Sequence, residues 1–167
     1  MAKTVYLVGT RHSYMGQGRH PMFGQVTMAE LDKFKAYLKD LVTHLDLQAI
    51  AEEMSVEGLG TNPRRDLPPD ESIAFQVARE MNNIPHCYCD PDTPRRQVLG
   101  ISVGGKDTAE DTRKREADWM RRVDELDTFP CLFVCGADHV QSFRSVLERS
   151  KCRVEVLADD WPVDACG

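Results

Sequence analysis

Short apolar runs alternate along the chain with longer segments whose apolar residues recur at helical spacing. The runs are rich in valine, leucine, isoleucine and cysteine and are only a few residues long, which is typical of buried strands. They predict five strands, over residues 5–8, 47–54, 86–90, 131–135 and 153–157. None of them approaches the ~20 apolar residues that a membrane-spanning helix needs.

Helices are predicted between these strands from the spacing of their apolar residues. Thr27 and Glu30 form a capping-box pair, so a helix should begin there, and its apolar stripe starts with Met28 and Leu31. Further helices are predicted over residues 73–81, 109–126 and 140–149. Residues 91–108 contain two prolines and a Gly-Gly pair, and we interpret them as a lid or excursion without regular structure.

The order of these elements predicts the fold class. Strands and helices that alternate, with nearly continuous apolar strands, predict an α/β protein of three layers, in which helices cover both faces of a mainly parallel five-stranded sheet. Right-handed crossovers and short connections favour the strand order 3-2-1-4-5. That order places the first and fourth strands side by side where the winding reverses, which is where such sheets bind ligands.

Length, composition and charge restrict the function further. The 167 residues, of which 41% are hydrophobic, suit one domain over residues 1–167 with a single well-buried core. A formal charge of -6 and a pI of about 5.4 argue against nucleic-acid and anionic-membrane partners. We therefore expect a small-molecule or peptide substrate, and homo-oligomerisation stays open.

The cysteines indicate a compartment. Six cysteines fall mostly within predicted strands, and Met1 to Thr4 lead directly into the first strand without the apolar segment of a signal peptide. Disulfides are rare in the cytoplasm. We therefore expect a cytoplasmic protein whose cysteines are reduced.

Two of the predicted strands end alike, on a glycine with a histidine three residues after it. Gly9 precedes His12 after the first strand, and Gly136 precedes His139 after the fourth. Because neighbouring strands lie ~4.8 Å apart, both imidazoles would reach one crevice if these strands are adjacent. This pair is the strongest signal of a functional site in the sequence.

A pair of glutamates ends the second strand at the same edge of the sheet. Successive strand residues face opposite ways, so only one of Glu52 and Glu53 can face the crevice. With His12 and His139, a carboxylate such as Glu53 forms a donor set that suits a divalent metal such as Mn, Co or Zn. Without a metal, the histidines predict an acid/base pair. The alternative is that both imidazoles cap helices or bond within a polar core.

Two further segments contain residues that are typical of ligand sites. Residues 100–106 have the glycine and lysine spacing of a phosphate loop, but Asp107 replaces the hydroxyl residue that would bind Mg²⁺. His86, Cys87 and Cys89 resemble a metal motif. Strand alternation separates His86 from the two cysteines, which we interpret as core thiols.

Three more side chains have open roles. Asp90 and Asp92, at the tip of the third strand, either reach the crevice or cap the following turn. Cys135, four residues before His139, is an alternative nucleophile because a thiolate near a helix N-terminus is activated.

Four short motifs of the chain resemble, in order, those of the TraB/PrgY/GumN and Tiki proteins, whose superfamily also contains erythromycin esterase and haem-binding ChaN. The motifs are Gly-Thr-Arg-His-Ser at 9–13, Glu-Glu at 52–53, Arg-Glu-Ala-Asp-Trp-Met at 115–120 and Val-Cys-Gly-Ala-Asp-His at 134–139. The resemblance implies a site lined by His12, His139, Glu52 or Glu53, and Arg115. It also implies divalent-metal-dependent hydrolysis of peptides.

Two functions are therefore expected from the sequence. The first is a hydrolase of peptide or ester bonds, with Arg115 binding a substrate carboxylate or stabilising the oxyanion. The second is a non-catalytic module that binds a ligand, a metal or haem in the same crevice and serves signalling or defence. Among cofactors, a divalent metal ion ranks ahead of haem.

Overall fold

Five parallel strands form the central sheet of the protein. The computed structural model describes residues 3–15, 19–20, 24–60 and 71–162. In chain order, its strands are β1 (Thr4–Thr10), β2 (Arg19–His20), β3 (Gly24–Gln25), β4 (Ala49–Glu52), β5 (His86–Tyr88), β6 (Cys131–Gly136) and β7 (Arg153–Trp161). The strands β2 and β3 form a separate antiparallel pair, and the other five pair in parallel.

Helices connect the strands of this sheet. They are α1 (His12–Met15), α2 (Met28–His44), α3 (Val56–Gly60), α4 (Ile73–Glu80), α5 (Thr93–Leu99), α6 (Ala109–Leu126) and α7 (Val140–Arg149), with a 3-10 turn over Ala137–His139. The predicted capping box is present, because the Thr27 hydroxyl accepts from the Glu30 backbone and the Glu30 carboxylate accepts from the Thr27 backbone. Thr108 and Asp111 cap α6 in the same way.

The helices cover both faces of the sheet, which confirms the predicted three-layer α/β class. On one face, α2 and α4 pack on Val8, Ile50, Leu132 and Val134. On the other face, α6 and α7 pack on the residues of opposite parity: Val5, Leu7, Ala51 and Phe133. Alternate residues of each strand therefore pack into two separate apolar layers, one on each face of the sheet.

The strand order differs from the prediction in one respect. The order is β5-β4-β6-β1-β7, which is 3-2-4-1-5 in the count of the five predicted strands. The first and fourth strands are adjacent, as predicted, but the order 3-2-1-4-5 is wrong because β6 lies between β1 and β4. All six residues of β6 are buried, so the most apolar strand occupies the centre of the sheet.

Residues 91–108 are more regular than expected. Asp92 caps α5 by accepting from the Arg95 backbone, and Gly100 ends the helix with a φ of 63° in the left-handed region. Arg95 contacts Asp118 of α6 at 2.6 Å, so this segment is held against α6. The prediction of a lid without regular structure is therefore wrong for residues 93–99.

Several boundaries also differ from the prediction. β4 is shorter than the predicted 47–54, and β7 continues to Trp161, whose ring lies 4.8 Å from that of Phe34 and 5.1 Å from that of Tyr14 between centroids.

The five described cysteines are free thiols. Among the described helices, none is long and apolar enough to cross a membrane. Cys166, the side chain of His20 and most of the predicted loop at 58–69 lie outside the described residues.

Candidate functional site

Four side chains from four segments meet at the carboxyl edge of the sheet, around one oxygen of Glu53. Glu53 Oε1 lies 3.3 Å from His12 Nε2, 3.4 Å from His139 Nε2 and 2.6 Å from Arg115 Nη2. His12 follows β1, Glu53 follows β4, His139 ends the 3-10 turn after β6, and Arg115 lies on α6. The structure thus brings His12, Glu53, Arg115 and His139 together around one carboxylate oxygen.

The central strand β6 holds the Glu53 carboxylate in place. Glu53 donates its backbone N–H to the Val134 carbonyl at 2.8 Å, and Glu53 Oε2 accepts the backbone N–H of Gly136 at 2.8 Å. Its side chain is 1% exposed. Burial alone would raise the pKa of this carboxyl, but the His12 hydrogen bond and the charges of His12, His139 and Arg115 lower it to about 2. Glu53 is therefore ionised.

A second carboxylate, that of Glu116, orients the His139 ring. The Nδ1 atom of His139 lies 3.0 Å from Glu116 Oε1. Because a carboxylate only accepts, Nδ1 is the donor, and Nε2 is turned toward Glu53. The Ser142 hydroxyl donates to the same Glu116 oxygen. Burial lowers the pKa of His139, but the Glu116 hydrogen bond and the Glu53 charge outweigh burial and raise it above its ordinary value.

His12 is the more open of the two histidines, with 33% of its side chain exposed. The hydrogen bond with Glu53 raises the pKa of His12, while burial and the charges of Arg115 and His139 oppose that rise. Its ring packs against the backbone of Gly136, where a Cβ atom would lie only 2.6 Å from His12 Cε1. Glycine at 136 is therefore needed for this imidazole to reach Glu53.

Arg115 holds carboxylates instead of facing a ligand. Its Nη2 donates to Glu53, its Nε donates to Asp90 Oδ1 at 2.8 Å, and its Nη1 donates to Asp107 Oδ2 at 2.8 Å. These three carboxylates occupy the guanidinium fork, and the side chain is 11% exposed. The role of Arg115 in binding a substrate carboxylate or an oxyanion stays a prediction, and in this arrangement its guanidinium donates to three carboxylates of the protein itself.

Of the two adjacent glutamates, only Glu53 belongs to this cluster. Glu52 is fully buried and lies on the side of the sheet that α4 covers, where its Oε1 accepts from the Ser72 hydroxyl and lies 2.7 Å from His86 Nε2. Of the two glutamates that were left open, Glu52 is therefore the one that lies apart from His12 and His139. Strand alternation separates the two carboxylates, as expected from their adjacent positions.

A crevice of about 250 Å³ opens beside His12, between the ends of β1 and β6. Most of its lining residues are polar or charged, but the exposed surface of its walls is mainly apolar; the lining residues are Thr10, Arg11, His12, Gly136, Ala137, Asp138 and Asp160. Glu53 and His139 are not among the lining residues, so His12 is the member of the cluster that a ligand would touch. The volume is below the usual 300–1,000 Å³ of sites for drug-sized ligands.

The cluster fits a resident metal poorly. Glu53 Oε1 is 3.3 and 3.4 Å from the two imidazole nitrogens, close to the ~3.3 Å between neighbouring ligands of a tetrahedral ion with ~2.0 Å bonds. However, Arg115 already donates to that oxygen at 2.6 Å. Within residues 3–15, 19–20, 24–60 and 71–162, no group of three or more histidine, cysteine or acidic side chains is arranged to hold a metal ion. Arg115 would have to withdraw before an ion entered.

Sequence patterns did not single out two acidic residues of the cluster, Glu116 and Asp107, and left three other candidates open, of which Asp92 caps α5. Glu116 adjoins Arg115 in the third motif, which is a signal that could have identified it. Asp90 reaches the cluster through Arg115 and through Trp119 Nε1, which donates to it at 3.1 Å. Cys135 is fully buried, and burial raises the pKa of its thiol well above the ordinary value, which is contrary to an activated nucleophile.

Comparison with known proteins adds no relatives. No protein-family model matches the chain, and no match was found among curated proteins or solved structures.

Proposed function

We propose that the protein is a hydrolase of small peptide or ester substrates, in which His12 and His139 act as an acid/base pair across Glu53. The observation that carries the proposal is the placement of two imidazole Nε2 atoms within 3.4 Å of one buried carboxylate oxygen, with His12 lining a crevice. Paired titratable groups that share a charge at the mouth of a crevice are typical of catalytic sites.

The Glu53 carboxylate allows the two imidazoles to take different protonation states. Its charge raises the pKa of both histidines, while a protonated His139 lowers the pKa of His12. The pair therefore binds its protons in two steps. Between those steps, one ring is a base and the other is an acid, which is the combination that hydrolysis requires.

His12 is the group placed to act on the reacting atoms. As the neutral ring, it takes a proton from water while the water oxygen bonds to the substrate carbonyl carbon. The bond to the leaving nitrogen or oxygen then breaks, and the protonated His12 returns its proton to the leaving group. His139, whose side chain is 13% exposed, acts on His12 electrostatically: its positive charge lowers the pKa of His12 and so favours the neutral ring.

Arg115 and Glu116 position this pair without contacting the substrate. Arg115 fixes the oxygen that both histidines face, and Glu116 fixes the tautomer of His139. The small volume of the crevice agrees with a short substrate.

A metal-dependent version of the same proposal follows from the resemblance to Tiki and TraB proteins. His12, Glu53 and His139 would hold Mn, Co or Zn, and the ion would supply an activated water. The two oxygen–nitrogen separations favour this version, and the Arg115 contact opposes it. Adding and removing metal distinguishes it from the metal-free version.

Non-catalytic binding in the same crevice is the second candidate function. One observation favours it: Arg115 and the Gly136 N–H both donate to Glu53, so neither is left to stabilise an oxyanion. Haem fits this candidate poorly, because the crevice is small and its walls carry Arg11, Asp138 and Asp160.

The test compares His12→Ala, His139→Ala and the double variant on a panel of short peptides and esters. Each single change should abolish turnover by a similar factor, and the double change should cost little more, because the groups act as a unit. His44→Ala is the control, since His44 is the last residue of α2 and its Nδ1 lies 2.7 Å from the Asp40 carbonyl oxygen.

Three outcomes separate the candidates. Turnover that survives chelation and is lost in both histidine variants supports the metal-free pair. Turnover that needs added Mn, Co or Zn, with loss of metal binding in the same variants, supports the metal-dependent version. Crevice-dependent ligand binding without any turnover would overturn the hydrolase proposal in favour of the binding module.

A further inference from the structure

A pair of thiols lies at the end of the edge strand β5, apart from the histidine cluster. The Sγ atoms of Cys87 and Cys89 are 3.7 Å apart, and the Cys89 thiol donates to the Cys87 sulfur. Cys87 is partly exposed, whereas Cys89 is fully buried. The two sulfurs are thus in contact, and only one of them is open to solvent.

The surroundings of the two thiols favour different chemical forms. The hydrogen bond from Cys89 and the nearby Arg122 charge outweigh burial and lower the pKa of Cys87 to about 7. Arg122 is fixed there by its hydrogen bond to the Tyr88 carbonyl, at 3.2 Å. Burial raises the pKa of Cys89 well above its ordinary value. Exposure and pKa together favour Cys87 as the nucleophile of the pair and Cys89 as its thiol partner.

We propose that Cys87 and Cys89 form a redox-active dithiol that hydrogen peroxide or an organic hydroperoxide converts into a disulfide. The Cys87 thiolate attacks the peroxide O–O bond, giving a sulfenic acid and releasing hydroxide or alkoxide. The Cys89 thiol then attacks the sulfenic sulfur, and water leaves as the S–S bond forms. Two thiols are oxidised, and the peroxide is reduced to water, or to water and an alcohol.

Closing this bond would move the end of β5. The two Sγ atoms must approach from 3.7 Å to the ~2.05 Å of a disulfide bond. Cα atoms two residues apart in an extended strand are separated by nearly the upper limit for Cα atoms joined by a disulfide, which is ~6.8 Å. The backbone at Cys89 is held by its N–H to the Glu52 carbonyl at 2.8 Å, and the next residue is Asp90. Oxidation should therefore shift Asp90, which accepts from Trp119.

The experiment treats the full chain with hydrogen peroxide and follows thiol content, intact mass and cross-linked peptides. The wild type should lose two thiols and two mass units, with a Cys87–Cys89 bridge that dithiothreitol reverses. Cys89→Ser should stop at a sulfenic acid on Cys87 that dimedone traps. Cys87→Ser should react at least about tenfold more slowly, because the partly exposed thiolate is gone.

A second readout tests the predicted movement, and a control tests selectivity. In a Trp161→Phe background, formation of the bridge should change Trp119 fluorescence, and dithiothreitol should restore it. Cys152→Ser is the control and should oxidise like the wild type, because Cys152 is buried and burial raises its pKa. Oxidation of Cys87 with the Cys89 thiol retained, bridges only between chains, or equal rates in the wild type and Cys87→Ser would overturn the proposal. None of these readouts depends on hydrolase activity.

Discussion

Replacing Glu53 with glutamine removes the negative charge that lies between His12 and His139. The change keeps the side-chain volume, but it removes the carboxylate that accepts from Arg115 and the Gly136 N–H and faces both imidazoles. An amide cannot accept through both of its terminal atoms, so one of these donors loses its partner. We expect Glu53→Gln to fold but to be less stable.

The magnitude follows from the environment of the carboxylate. Its pKa falls from 4.5 to about 2, and each unit corresponds to 1.36 kcal/mol, so the ionised form contributes about 3 kcal/mol to the free energy of unfolding. This carboxyl is less readily protonated when folded, so its contribution is present above pH 4.5 and declines as the pH falls toward 2.

The histidines change the stability in the opposite direction. The pKa values of His12 and His139 are raised above 6.5, so the stability that their charged forms gain from Glu53 is present below pH 6.5 and lost as the pH rises through their folded values. The difference between wild type and Glu53→Gln should therefore be largest between pH 4.5 and 6.5 and smaller on either side.

Urea unfolding at about pH 3, 5.5 and 8.5, followed by tryptophan fluorescence, measures this difference. Glu80→Gln is the control: Glu80 contacts Lys35 at 2.7 Å and Lys39 at 2.6 Å, but its side chain is 36% exposed. Such exposed pairs contribute about 0–1 kcal/mol. A Glu53→Gln effect that is no larger than that of Glu80→Gln, or that does not vary with pH, would refute the reasoning.

Two substitutions probe the imidazoles separately, by proton NMR titration of each histidine. Gly136→Ala would place a Cβ atom 2.6 Å from His12 Cε1, so His12 should leave Glu53 and its pKa should fall toward 6.5; an unchanged value would show that the ring is not held there. Glu116→Gln removes the carboxylate that, together with the Glu53 charge, outweighs burial at His139, so the pKa of His139 should fall while that of His12 changes little. Equal shifts of both histidines in Glu116→Gln would contradict the separate roles.

Local patterns in the sequence were sufficient to predict most elements. The bounds of α6 and α7 match the prediction, because Thr108 caps α6 and apolar residues recur along one face of each helix. The lateral position of β6 could not be predicted from such patterns. Both β1 and β6 are apolar, and the choice between adjacent places in the sheet is made by long-range packing against α2, α4, α6 and α7.

The candidate site could also be predicted from the sequence only in part. His12, Glu53 and His139 follow strand ends, so a parallel sheet predicts that they share one edge. The contacts of Arg115 with Asp90 and Asp107 could not be predicted, since they join α6 to two loops that are brought together only by the folded chain. Periodicity also could not decide between Glu52 and Glu53, because alternation gives opposite faces without saying which face opens to the crevice.

The central position of β6 explains why the cluster can exist at all. With β6 between β1 and β4, Gly136 lies between His12 and Glu53, and its missing side chain leaves room for the imidazole on one side while its N–H holds the carboxylate on the other. In the predicted order, with β1 next to β4, Glu53 would have had β1 as its neighbour, and His139 would have lain one strand farther away. Because each charged group comes from a different element, the separation of any one strand or helix leaves a buried charge without its partner. The same contacts that hold the candidate site together therefore also favour the observed strand order.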